Sequence, residues 1–108
     1  MAKVSIILPS YNHNSFLHDR LKSIICQTFT DWELIIIDDN SSDGSIDTLK
    51  KFVKNNKNKV SKFIVNNENS GSGYHSWFSG INFAKSEYIW IAETDDYSDI
   101  TFLEEMVG

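Results

Sequence analysis

The 108-residue chain predicts an α/β fold, an open and mostly parallel sheet with helices on both faces. Segments of strand character alternate with segments of helical period along its length, and the strand segments are short apolar runs of the kind buried on both faces. Clusters of Asp, Asn, Ser and Gly follow these runs, where connections to crossover helices belong. The length suits one domain and no second independently folded unit. Apolar residues make up 41%, with seven Phe, four Tyr and three Trp, which supplies a core and excludes a disordered tail.

"VSIIL", Val4 to Leu8, is the first strand and is expected to stop at Pro9. After "PSYNHN", with Asn14 or Ser15 as N-cap, a helix from about Ser15 to Cys26 carries Phe16, Leu17, Leu21, Ile24 and Ile25 as an apolar stripe. Cys26 is the single cysteine, so an internal disulfide and a CxxC metal site are excluded; it is expected on that stripe as a small core residue. "WELIIID", Trp32 to Asp38, reads as a central strand. In "DDNSSDGS", Asp43 or Ser45 starts a helix bearing Ile46, Leu49, Phe52 and Val53, which ends around Asn55 to Asn58.

"VSKFIVN", Val60 to Asn66, is more amphipathic and is expected nearer the sheet edge. Beyond the glycine-bearing "NNENSGSG", a helix from about Tyr74 to Lys85 places Trp77, Phe78, Ile81 and Ala84 on one face. "EYIWIA", Glu87 to Ala92, is the fourth strand, and Ile100 to Val107 a short helix.

The net charge of −5 argues against nucleic acid as the main partner. Lys50, Lys51, Lys54, Lys57, Lys59 and Lys62 concentrate six of the ten basic residues in one window, which reads as a solvated helix end and loop or as a contact with an anionic membrane surface. No apolar run approaches a membrane span and no leader precedes the first strand, so a cytoplasmic location, peripheral at the inner face of the membrane at most, is expected. The spacing of His13, His18 and His75 matches no zinc motif.

"PSYN", "DDNSSDG" and "ETDD" each follow the carboxyl end of a strand, and in open parallel sheets ligands bind beyond those ends, near the point where strand order reverses. The third cluster is the most demanding. Glu93, Asp95 and Asp96 close an apolar strand, and carboxylates there must be solvated, paired or turned toward a cation.

Taken in order, "VSIILPSYNHNSFLHDRLKSIICQTFTDWELIIIDDNSSDGS" closely resembles the amino-terminal half of family 2 glycosyltransferases of the GT-A, Rossmann-like fold. These share a strand, a P-[ST]-Y-N loop, a helix ending in Q-[ST]-[FY], and a strand ending in D-[DN]-x-S-x-D. "INFAKSEYIWIAETDDY" resembles the same family's helix, fourth strand and D-x-D-like metal motif, so the resemblance covers residues 1–108 as the nucleotide-sugar-binding half.

The resemblance implies transfer of a sugar from a nucleotide-diphosphate donor to a glycan or lipid-linked hydroxyl acceptor, inverting and dependent on Mn2+ or Mg2+, in cell-envelope polysaccharide synthesis. It implies that Pro9, Ser10 and Tyr11 cradle the nucleoside, and that Asp39 accepts the imide N–H of uracil, which favours a UDP-sugar. Asp38 matches a neighbouring acid, while Ser41 and Asp43 shape the loop. Asp95 matches the direct metal ligand, Glu93 a contact to the ribose or to metal-bound water, and Asp96 a support for the loop.

Two departures stand out. Glu93 replaces the family's usual Asp, and Ser76 and Trp77 stand near the Arg-Asn pair that many relatives carry before the glycine that is Gly80 here. Gly71 and Gly73 offer backbone N–H groups to a phosphate or form a flexible turn. The general base and the acceptor groove are expected in a carboxy-terminal half beyond these residues, which puts the activity of the 108 residues alone in question and predicts a homodimer through the truncated sheet edge. The rival reading is a non-catalytic nucleotide-binding or interaction module; a nucleotidylyltransferase is disfavoured because "LPSYNHN" lacks its glycine-rich, basic signature.

Overall fold

The computed structural model describes residues 2–12, 14–66, 80–93 and 100–107. The first part of the helix expected from Tyr74, the "SGSG" turn, and Asp95 with Asp96 lie outside the described residues. Four parallel strands, β1 (Val4–Ser10), β2 (Trp32–Asp38), β3 (Val60–Val65) and β4 (Tyr88–Ile91), form one sheet in the order β3-β2-β1-β4. Helices α1 (Asn14–Ile25), α2 (Ser45–Asn55) and α3 (Phe102–Val107) pack on it, and residues 80–83 are helical as well.

Strand alternation sorts the core. Val4, Ile6 and Leu8 of β1 and Trp32, Leu34 and Ile36 of β2 point to one face, where they join Leu17, Leu21 and Ile24 of α1, Leu49 of α2 and Leu103 of α3. Ile7, Ile35 and Ile37 are equally buried on the other face. The chain steps β1 to β2 to β3 in one direction and then returns past both to β4, so right-handed crossovers place α1 and α2 on one side and the third connection on the opposite side. The packing agrees, because Gly80 lies directly against Ile7. The strand order reverses at β1, which makes its carboxyl end the switch point.

β1 continues through Pro9 to Ser10, two residues beyond the end expected from the sequence. The ladder explains why. Ala92 N–H bonds to Ile7 O at 2.8 Å on the β4 side, and Asp39 N–H bonds to Ser10 O at 2.9 Å on the β2 side, so odd-numbered residues of β1 serve β4 and even-numbered ones serve β2. The missing N–H of Pro9 therefore falls where β4 is ending and leaves the pairing with β2 intact. β3 lies at one edge of the sheet, as its amphipathic pattern predicts.

Cys26 is a correction: it is exposed, as are Phe16 and Ile25. The buried positions of α1 are Leu17, Arg20, Leu21, Ser23 and Ile24, and the next inward position is Gln27. The Gln27 side chain donates to Ser23 O at 3.0 Å and accepts the Leu103 N–H at 2.9 Å, tying α1 to the start of α3. At 100° per residue Cys26 points away from that stripe.

At the amino ends of the strands Glu33 is held by hydroxyls. Ser5 and Ser86 lie 2.8 and 3.1 Å from Glu33 Oε2. Partial burial pushes its carboxyl up, but the hydroxyls of Ser61, Ser5 and Ser86 and the charge of Lys85 outweigh that and hold it below the ordinary glutamate range.

Candidate functional site

The rim at the carboxyl ends is built from two loops laced together. Asp38 closes β2 fully buried, and its carboxyl oxygens accept the Ser41 N–H at 2.8 Å and the Ser41 hydroxyl at 2.6 Å. Ser41 Oγ in turn accepts the Asn12 N–H at 2.9 Å, and Asn12 Oδ1 accepts the Ser42 N–H at 2.8 Å. Asp43 accepts the Asn14 N–H at 2.9 Å, which joins the first turn of α1 to the same loop. The loop after β1 is thus fixed by the loop after β2. Asn12 and Asn40 turn the chain at φ of 51° and 60°, a region that asparagine tolerates better than most residues.

Asp43 also accepts the N–H and hydroxyl of Ser45 at the start of α2. Slight desolvation raises its carboxyl, and the hydrogen bonds from Ser45 and Asn14 outweigh that, holding it below the ordinary aspartate range. Gly44, at φ of 96°, makes the left-handed step between this acid and the helix, so glycine is required there.

Alternation divides the expected site residues into two groups. Ser10 and Asp38 are register partners on the helix-covered side and point into the laced loops. Asp39 follows on the opposite side, two residues beyond Ile37, the partner of Pro9. The ladder carries on to this point, because Asp39 N–H bonds to Ser10 O and Asn66 N–H bonds to Asp38 O, each at 2.9 Å. Asp39 is only 5% exposed.

On the other flank Ala92 N–H bonds to Ile7 O, and one further residue brings half-buried Glu93 to the side and level of Pro9. Asp39 and Glu93 therefore flank the end of β1, with one strand between them, about 10 Å apart across the sheet and two residues apart along it. Tyr11, 44% exposed, stands at the loop between them with its ring open to solvent.

Three buried or rim residues, Gln27 among them at the far end of α1, went unnoticed in the sequence. Arg20 is 2% exposed and its guanidinium lies 4.9 Å from the Trp90 ring, under the strand that leads to Glu93. Trp90 also packs on Phe102 at 4.7 Å. The 17, 20/21, 24 period of α1 was the signal that would have found Arg20. Gln27 follows from the same period. Asn66 donates from Nδ2 to Asp39 Oδ1 at 2.9 Å, which only the register of β2 with β3 reveals.

Among the described residues no group of three or more His, Cys, Asp or Glu is placed to hold a metal ion. The donor set that the sequence offers is all oxygen, which suits Mg2+ or Mn2+. Of that set Glu93 is placed at the rim, and Asp95 lies outside the described residues.

Comparison with known proteins decides what this rim belongs to. The family model described as Glycosyl transferase family 2 matches residues 5–108. The chain belongs to that family. Among family 2 relatives, poly(ribitol-phosphate) beta-N-acetylglucosaminyltransferase TarP of Staphylococcus aureus is 37% identical over 110 residues, covering 98% of this chain and 32% of TarP. The crystal structure of S. aureus TarS 1-349 in complex with UDP-GlcNAc superposes with a TM-score of 0.85 at 25% identity, covering 97% of this chain and 30% of that one. The mannosyltransferase of Pyrobaculum calidifontis, in complex with GDP-Man and Mn2+, shares the fold with a TM-score of 0.77 at 20% identity, covering 88% of this chain and 28% of that one.

The fold of this family 2 chain is thus the GT-A arrangement, as its sequence resemblance implied, and it spans about a third of the length of TarP. Among the described residues no helix is long and apolar enough to cross a membrane.

Proposed function

We propose that residues 1–108 are the nucleotide-sugar-binding half of a glycosyltransferase, and that the rim at the end of β1 holds the donor. The observation that carries this reading is the placement of Asp39, Pro9 and Glu93 at the carboxyl ends of three neighbouring parallel strands, around the switch point, in a family 2 chain. In this reading the base sits against Asp39, with the Tyr11 ring on its face. Pro9 lines the floor, and Ser10 acts through its carbonyl, which holds the Asp39 N–H. The diphosphate extends toward Glu93.

Asp95 would hold a divalent cation, Mn2+ or Mg2+, and Glu93 would contact its water or the ribose. The ion, when bound, neutralises charge on the departing diphosphate. A UDP-sugar is the favoured donor, since a carboxylate is the fitting acceptor for an imide N–H. The transfer is inverting, onto a hydroxyl of a glycan or lipid-linked acceptor of the cell envelope; the likeness to TarP supports that acceptor class. None of the residues placed here is assigned as the base that deprotonates the acceptor.

Calorimetric titration of UDP, GDP and dTDP, each with and without Mn2+, tests this reading. Manganese-dependent binding of UDP that is lost in both Asp39→Ala and Asp95→Ala is the expected result, and binding that ignores both substitutions refutes the site.

Two further features belong to this reading. A cytoplasmic protein lying at the inner membrane face fits the exposed lysines Lys50, Lys51 and Lys54 of α2, and salt-sensitive sedimentation with anionic vesicles is its test. Self-association through β4 fits Ile89, which is exposed on a strand paired only with β1 among the described residues; a concentration-independent monomer in sedimentation equilibrium rules it out.

A further inference from the structure

Asp39 is the acid that meets the base in the reading above, and the inference here rests on that reading. Its carboxylate does not stand alone. Asn66 lies across the strand from it, with its backbone N–H bonded to Asp38 O at 2.9 Å, so the ladder itself fixes where the Asn66 side chain starts. From there Nδ2 donates to Asp39 Oδ1 at 2.9 Å. A primary amide nitrogen carries two N–H groups, and Asp39 takes one of them.

The pair therefore presents an acceptor and a donor side by side. We propose that Asp39 and Asn66 form one recognition edge that selects nucleobases with a ring N–H beside a carbonyl, with Asn66 as a specificity-determining residue. Uracil fits, with its N3–H on Asp39 and its 4-carbonyl on the second N–H of Asn66. Guanine carries the same pattern and is admitted. Cytosine reverses it: its N3 is a lone pair facing a carboxylate, and its exocyclic amino group meets a donor. Such mismatches leave buried polar groups unpaired, which discriminates far more strongly than a change in size. The edge also explains why an asparagine closes a strand whose preceding residues, Phe63, Ile64 and Val65, are apolar.

The test is titration of UDP, N3-methyl-UDP and CDP into the 108-residue chain with Mn2+ and into Asn66→Leu and Asn66→Ala, with the melting temperature of each protein recorded. The wild-type chain is expected to bind UDP about ten- to a hundredfold more tightly than CDP or N3-methyl-UDP. Asn66→Leu is expected to weaken UDP by about tenfold while leaving CDP within about twofold, so that the UDP-to-CDP ratio collapses. Asn66→Ala adds no bulk at the strand end and gives the same collapse. A merely structural role for Asn66 lowers the melting temperature or weakens both nucleotides in proportion; an unchanged UDP-to-CDP ratio in a folded variant overturns the inference alone. A wild-type chain indifferent to N3-methylation, or binding no nucleotide, overturns the reading of Asp39 and the inference with it.

Discussion

Replacing Gly80 by alanine tests the packing that holds the third crossover against the sheet. A Cβ at Gly80 would stand 2.4 Å from Ile7 Cγ2, 3.1 Å from Cγ1 and 3.2 Å from Cδ1. Carbon atoms rest at about 3.5–4.0 Å, so the nearest contact is short by about 1.1 Å or more. Ile7 has nowhere to retreat. It is fully buried in β1, between register partners Ile35 and Ile91, and a β-branched side chain has little rotamer freedom.

Overpacking of this kind costs about 1–3 kcal/mol. Alanine regains up to about 1 kcal/mol of helix propensity over glycine at residue 80, which is helical. The net expectation is a loss of about 1–2 kcal/mol, or about 4–16 °C in Tm for a domain of this size. Thermal and urea unfolding followed by circular dichroism measure it. Ile7→Ala alone is expected to cost about 2–5 kcal/mol. Because the Gly80→Ala methyl then enters vacated space, the double variant is expected to fall short of the sum by about 1 kcal/mol. A Tm that rises in Gly80→Ala, or strict additivity in the cycle, refutes the contact.

Two more outcomes follow from the hydrogen bonds. Asp38→Ala strips both acceptors from Ser41 and is expected to cost about 2–4 kcal/mol in urea unfolding. Ser41 also receives the Asn12 N–H, so nucleotide affinity is expected to drop as well, and unaltered affinity in the folded variant counts against the lacing of the two loops. The folded pKa of Glu33 lies below the ordinary glutamate range, so its contribution to stability is complete above that range and is lost as pH falls through the lowered folded value. The stability gap between the wild-type chain and Glu33→Gln is therefore expected to be widest near neutrality and to close in acid; a gap constant from neutral pH to pH about 3 contradicts the assignment.

The sequence alone determined the architecture. Continuous apolar runs such as that of β2 can be buried only between two helical layers, and the 3.6-residue stripes of α1 and α2 supply one of them. Parallel strands need crossovers, and right-handed crossovers leave few orders for four strands. The family followed from spaced motifs that lie on loops, where backbone conformation and polar chemistry are written in local residue types. The phase of a stripe was less legible: counting apolar residues admitted Phe16 and Cys26 and omitted Arg20 and Gln27, because the guanidinium packs on Trp90 and the amide caps α3, contacts with partners far along the chain. β1 outran its expected end for a similar reason, since the cost of a proline depends on which neighbouring strand its missing N–H faces.

Register is what only the tertiary structure decided. Neighbouring residues of a strand point to opposite faces, so Asp38 and Asp39, adjacent in sequence, part company: one ties down a loop and the other faces the rim. No local pattern states that Asn66 stands opposite Asp39, because that pairing is a property of two strands aligned through hydrogen bonds between their backbones.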